Sequence, residues 1–169
     1  MAETDADAMQ MLRSAVHEAA GREEMRDAVE GVYRDLAAKV EERRPLCVVS
    51  GRCCRFEEYG HRLYVTTLEL AAFLHGFETG AKDERLASAI QKWDGAGCPF
   101  QVSKLCGVHA IRPFGCRIYF CDATSTQWQQ EAYEVFHARL KRLHEELGVP
   151  YYYVEWRQAL RAILEWPTS

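Results

Sequence analysis

Seven cysteines fall between residues 47 and 121, and none lies outside that window. Cys47, Cys53 and Cys54 sit in the run LCVVSGRCCRF at residues 46–56; Cys98, Cys106, Cys116 and Cys121 follow after residues 55–97. A single free cysteine is usually a small buried hydrophobe. Seven in one window argue for metal, because zinc or an iron–sulfur centre needs thiolates converging from more than one segment. An odd number also rules out complete internal disulfide pairing.

The spacing narrows the chemistry. C-x2-C occurs nowhere in the chain, which disfavours a zinc ribbon and thioredoxin-type redox chemistry. Neighbouring side chains in an extended segment point to opposite faces, so the adjacent pair Cys53–Cys54 fits poorly on one tetrahedral ion. The pair suits a polynuclear centre in which each sulfur meets a different metal, or a pattern in which one of the two is a ligand. Seven thiols also exceed the four that one zinc ion or one iron–sulfur cluster takes. Arg112 and Arg117 flank Cys116 and could lower thiol pKa values and offset cluster charge. His109, three residues beyond Cys106 in a C-x2-H spacing, is a candidate nitrogen ligand.

Elements that would position these residues are legible on either side. Met25, Val29, Val32, Leu36 and Val40 recur at spacings of three and four, giving one apolar stripe on a helix that Pro45 ends. Gly21 divides this helix from an earlier one. Residues 62–66 read as a short strand, and Thr66 with Glu69 has the spacing of a capping box opening a helix that stops near Gly76. Residues 82–93 suggest another helix. From Cys98 to Cys121 the pattern is irregular. Trp128, Ala132, Val135, Phe136, Leu140, Leu143 and Leu147 mark a long helix over 127–147, with His137 and His144 expected at its surface. The run YYYVEW at 151–156 reads as a core edge before a last short helix. The expected fold is mainly α: a single domain of helices enclosing an irregular cysteine-rich metal-binding core, with at most a few short strands. The cysteine region is 46–122, flanked by helical segments 5–45 and 126–166.

Composition sets the class. The apolar fraction of 48% and charged fraction of 27% are ordinary for a globular chain of 169 residues, a length that suits one domain. A net charge of −4 gives no electrostatic reason to expect nucleic acid or an anionic membrane as partner. The N-terminus is acidic and amphipathic, unlike a secretory signal, and no stretch has the ~18 consecutive apolar residues of a membrane span. A cytoplasmic setting with reduced thiols is expected.

The order C-V-V-S-G-R-C-C-R-F, then C-P-F, then Cys106 followed by RPFGCRIY at 112–119 resembles the YkgJ-like family of zinc- or iron-chelating cysteine-cluster proteins. The likeness spans Cys47 to about Cys121. It implies a metal- or cluster-binding domain; a similar domain occurs in bacterial flagellin lysine methylases. Family members usually carry C-x2-C-G-x-C-C in the first group, and Ser50 stands here where the second cysteine would be. Cys121 or His109 could replace that ligand. The segment with the strongest match holds Cys98, Cys106 and Cys116, stiffened by Pro99 and Pro113. These three with Cys54 are expected as the principal ligands, Cys53 next, and Cys47 and Cys121 at the periphery.

Three functions remain open from the sequence. The favoured one is an iron–sulfur protein, of 4Fe–4S type, in electron transfer, redox sensing or an accessory role. A structural zinc module that binds a protein partner is the second. The third is a small metalloenzyme whose open metal position arises at Ser50.

Overall fold

A computed structural model describes residues 2–164. The chain opens with two helices, α1 (Ala2–Ala20) and α2 (Glu23–Arg43), broken at Gly21. The predicted stripe of α2 faces inward: Met25, Val29, Val32 and Leu36 are buried. Arg44 adopts the left-handed conformation (φ 51°) and returns its amide to the Val40 carbonyl, which ends the helix before Pro45.

After a one-turn helix, α3 (Phe56–Tyr59), the strand β1 (Tyr64–Thr66) leads directly into α4 (Thr67–Gly76). The capping box forms as expected. Thr66 N–H donates to Glu69 Oε2 at 2.7 Å, and Glu69 N–H donates to Thr66 Oγ1 at 3.4 Å. Leu68, Leu70, Ala71, Phe73 and Leu74 are all buried, so α4 is apolar around most of its circumference. A helix of that kind belongs at the centre of a protein. Both α1 and α2 pack on it, and α1 also meets the last helix. The cysteine-bearing middle of the chain is therefore not merely enclosed by flanking helices; it supplies the central one.

Past α4 a π-helical turn (Phe77–Ala81) leads to α5 (Glu84–Gln91), which Asp83 caps through the Leu86 amide at 2.9 Å. The stretch from Cys98 to Cys121 is more ordered than its sequence suggests. Strands β2 (Gln101–Val102) and β3 (Leu105–Cys106) form a hairpin turned by Ser103 and Lys104, both at positive φ, and α6 (Phe114–Ile118) follows. Tertiary contacts stabilise pieces too short to show periodicity. The long helix α7 (Thr126–Leu147) buries Phe136 and Leu140 against α2 and α6, while Val135 lies exposed on its other side. Strand β4 (Tyr153–Glu155) pairs antiparallel with β1, setting Thr66 opposite Tyr153, and α8 (Trp156–Ile163) closes the described chain. The expected segment 126–166 thus contains two helices, and its residues 165 and 166 lie outside the described part.

One expectation for this half is corrected. His144 is buried, its Nδ1 bonded to the Val149 carbonyl at 3.1 Å, because the Gly148 turn folds the chain back over it. YYYVEW lies at the core edge as expected: Trp156 is buried, edge-on to Phe73 at 4.9 Å, Tyr152 and Val154 pack against the core, and the alternate Tyr151 and Tyr153 are exposed. Among the described residues no helix is long and apolar enough to cross a membrane.

Candidate metal centre

The first thiol loop is held by close backbone approaches. Gly51 has φ +69°, and a Cβ there would stand 2.2 Å from the Lys104 carbonyl oxygen of the β2–β3 turn. Only glycine lets the loop and the hairpin touch. Gln101 Nε2 donates to the Gly51 carbonyl at 2.9 Å, reinforcing the same contact. The next residues, Arg52–Cys54, form a 3₁₀ turn, with Cys54 N–H donating to Gly51 at 3.2 Å. The adjacent cysteines are therefore not extended, and the argument from opposite faces does not apply to them. Cys98 N–H then donates to the Cys54 carbonyl at 2.7 Å, joining the two cysteine segments directly. Gly97 permits this, since a Cβ on it would meet that same carbonyl oxygen at 2.7 Å.

Cys54 is the hub of the group. Its buried thiol interacts with those of Cys106, Cys53 and Cys98, and these contacts push its pKa far up. The same contacts pull Cys53 and Cys106 below the ordinary thiol range. Cys54 keeps its proton, while Cys53 and Cys106 give theirs up more readily. Cys116 retains some exposure toward the cavity it lines, yet its surroundings are dense enough that desolvation raises its pKa well up. Repulsion from Cys98, Cys106 and Cys53 adds to the rise, so the fifth thiol belongs to the same electrostatic group.

The position of Cys116 depends on a contact the sequence did not suggest. Glu69, having capped α4, also accepts the Phe114 amide at 3.0 Å on its Oε1. One buried carboxylate thus fixes the starts of both α4 and α6, and α6 carries Cys116. Burial pushes the Glu69 carboxyl up to about 7 despite three backbone amides that favour the charged form.

The remaining candidates divide. Arg112 draws the pKa values of Cys53 and Cys106 down and opposes the rise at Cys116. Arg117 serves the loop instead: its Nε donates to the Arg112 carbonyl at 2.8 Å, its Nη2 to Ala110 at 3.0 Å, and its guanidinium lies 4.1 Å from the Tyr33 ring centre. His109 is exposed; burial, Arg112 and Arg117 lower its pKa, and no thiol acts on it. Cys47 and Cys121 are exposed. Cys121 Sγ lies 3.9 Å from Ser50 Oγ, so it reaches the loop position at which the resemblance places a cysteine.

His61 escaped the sequence reading. Its Nε2 faces the Cys53 carbonyl at 3.2 Å, which requires a proton on that nitrogen, and its ring stacks on Tyr119 at 5.0 Å. Nothing in the local pattern HRLY marks it. Together with Cys53, Cys116, Tyr119 and Tyr133 it borders a cavity of about 340 Å³ beside the thiols.

Among the described residues no three Cys, His, Asp or Glu side chains are gathered tightly enough to hold a single metal ion as they are placed. The donor set nonetheless fits a thiophilic centre in kind: interacting sulfurs from two segments, an arginine beside them, and a shared backbone bond that keeps the segments together. No family model matches the chain, and neither does any curated protein or solved structure.

Proposed function

We propose that this protein carries a thiolate-ligated metal centre, with an iron–sulfur cluster of 4Fe–4S type favoured over zinc, in a redox, sensing or accessory role. The observation that carries the reading is the position of Cys54, whose thiol interacts with three others drawn from both cysteine segments. Cys54, Cys98, Cys106 and Cys116 would hold the group, with Cys53 as the alternative fourth ligand. Metal binding displaces protons from thiols, and two of these thiols already release theirs easily. A cluster lets each sulfur meet its own iron, whereas one zinc needs its ligands gathered on a single tetrahedral ion, and among the described residues no three are that close. The likeness to YkgJ-like proteins over residues 47–121 supports the same reading. A bound cluster would supply one-electron redox chemistry. Arg112 would offset its negative charge, and His61 and Tyr119 would wall Cys53 from water.

Purification without oxygen, followed by an absorption spectrum and iron and acid-labile sulfide analysis, tests the reading. Broad visible absorption with iron and sulfide in equal amounts is expected. A colourless protein containing zinc and no sulfide would replace it with the structural zinc module.

A further inference from the structure

The cavity beside Cys53 and Cys116 has a composition unlike a packing defect. Two groups of rings border it. On one side Tyr133 and Tyr153 bond hydroxyl to hydroxyl at 2.6 Å, and Tyr64 lies 5.4 Å from the Tyr153 ring. One of these two hydroxyls donates to the other, so the pair keeps one O–H free beside the ring faces and edges that would meet a guest. On the other side Tyr119 stacks on His61, which also meets Phe56 edge-on at 5.3 Å. Rings held in this way favour a planar guest, since offset-stacked and edge-on contacts add to simple apolar burial. At about 340 Å³ the space falls within the range of small-ligand sites.

Charge decides the polar end of the guest. Among the described residues Arg62 is the one Lys, Arg, Asp or Glu that lines the cavity. Cys53, its thiol pulled down to about 6, brings negative charge at the thiol side, which places a guest's carboxylate at the Arg62 end. Arg62 is exposed, and no hydrogen bond or ion pair engages it among those residues. Tyrosine rings alone would also suit a cation, but Arg62 repels one and complements a carboxylate.

We infer that this cavity is a binding site for a small aromatic carboxylate, its ring among the tyrosines and its carboxylate at Arg62. The ring would then lie against Cys53 and Cys116, so an occupant would sit at the edge of the thiol group. The inference goes beyond the metal reading and does not require the thiols to be loaded.

Ligand-observed NMR and calorimetry with benzoate, benzyl alcohol and benzyltrimethylammonium test it on the full chain. Benzoate should bind more tightly than the other two. Arg62→Gln should weaken benzoate about three- to fivefold, the size of one exposed charge contact, and leave benzyl alcohol unchanged. Gln130→Trp, at an exposed helical position on the rim, should block all aromatic probes. Preference for the ammonium probe, failure of every probe, or unaltered benzoate binding by a folded Gln130→Trp protein would each overturn the inference. Metal analysis of the same samples separates the two proposals, since neither substitution removes a thiol.

Discussion

The helical core and the thiol loops are held by different forces. Around α4, stability comes from burial: Leu68, Leu70, Phe73 and Leu74 are buried where α1 and α2 pack on the helix and Trp156 of α8 meets Phe73, and many small contacts share the load. The loop at 46–54 buries little beyond Cys54, and the segment 98–121 is anchored in the core by Phe100, Val108, Phe114 and Ile118 while its thiols lie at the margin. The thiol-bearing parts rest on a few backbone bonds, on glycines where a Cβ would collide, and on thiols that repel or share protons. Burial is forgiving of small changes and indifferent to metal, whereas a handful of directional contacts can be completed or undone by one ligand. The core should therefore set whether the chain folds, and the loops whether it loads.

The largest effect expected is on loading. Cys54→Ser removes the thiol that joins both segments, so metal per chain after gel filtration should fall to near zero. The metal-free variant should unfold at the same urea concentration as metal-free wild type. A variant that loaded normally would remove Cys54 from the hub. The mirror-image test is Leu70→Ala, which opens a cavity at a fully buried position and should cost about 4 kcal/mol in urea unfolding. Whatever folded fraction remains should carry a normal metal content. If metal is lost in proportion to stability, the two regions do not behave separately.

Glu69 bridges the regions, and its titration should be visible. Its folded pKa of about 7 lies above its ordinary value of 4.5, so the folded state holds the proton more tightly. The stability this provides is fully present below about pH 4.5 and is lost as pH rises through 7. The difference amounts to about 3 kcal/mol by linkage. Between pH 5 and pH 7.5 wild type should lose stability relative to Glu69→Gln, since the opposing contributions of the Cys53 and Cys106 thiols are common to both proteins. Equal slopes in both proteins would mean that Glu69 titrates as it does in the unfolded chain. The smallest effect is reserved for the exposed cysteines. Cys47→Ser and Cys121→Ser should each leave metal stoichiometry nearly intact. If either empties the site while Cys116→Ser does not, the ligands lie on the outer loop and a centre with more than one metal becomes the better account.

Local pattern carried much of this. Apolar spacing located α2 and α7 because a helix buries one face, and that face is written in residues three and four apart. The Thr66–Glu69 box announced α4 because capping is settled within one turn. Two cysteine segments and their flanking arginines were equally plain. Other features depend on residues far apart in sequence that meet by packing alone. That Glu69 reaches Phe114, that Arg112 faces the thiols while Arg117 turns to Tyr33, and that His61 stacks on Tyr119 beside Cys53 are all of this kind. The short hairpin and α6 belong with them, since pieces of two to five residues have no period to detect and owe their form to the Gly51 contact and the Glu69 bond. What a residue does within its own turn could be read from its neighbours; which distant groups it faces was decided only when the core closed.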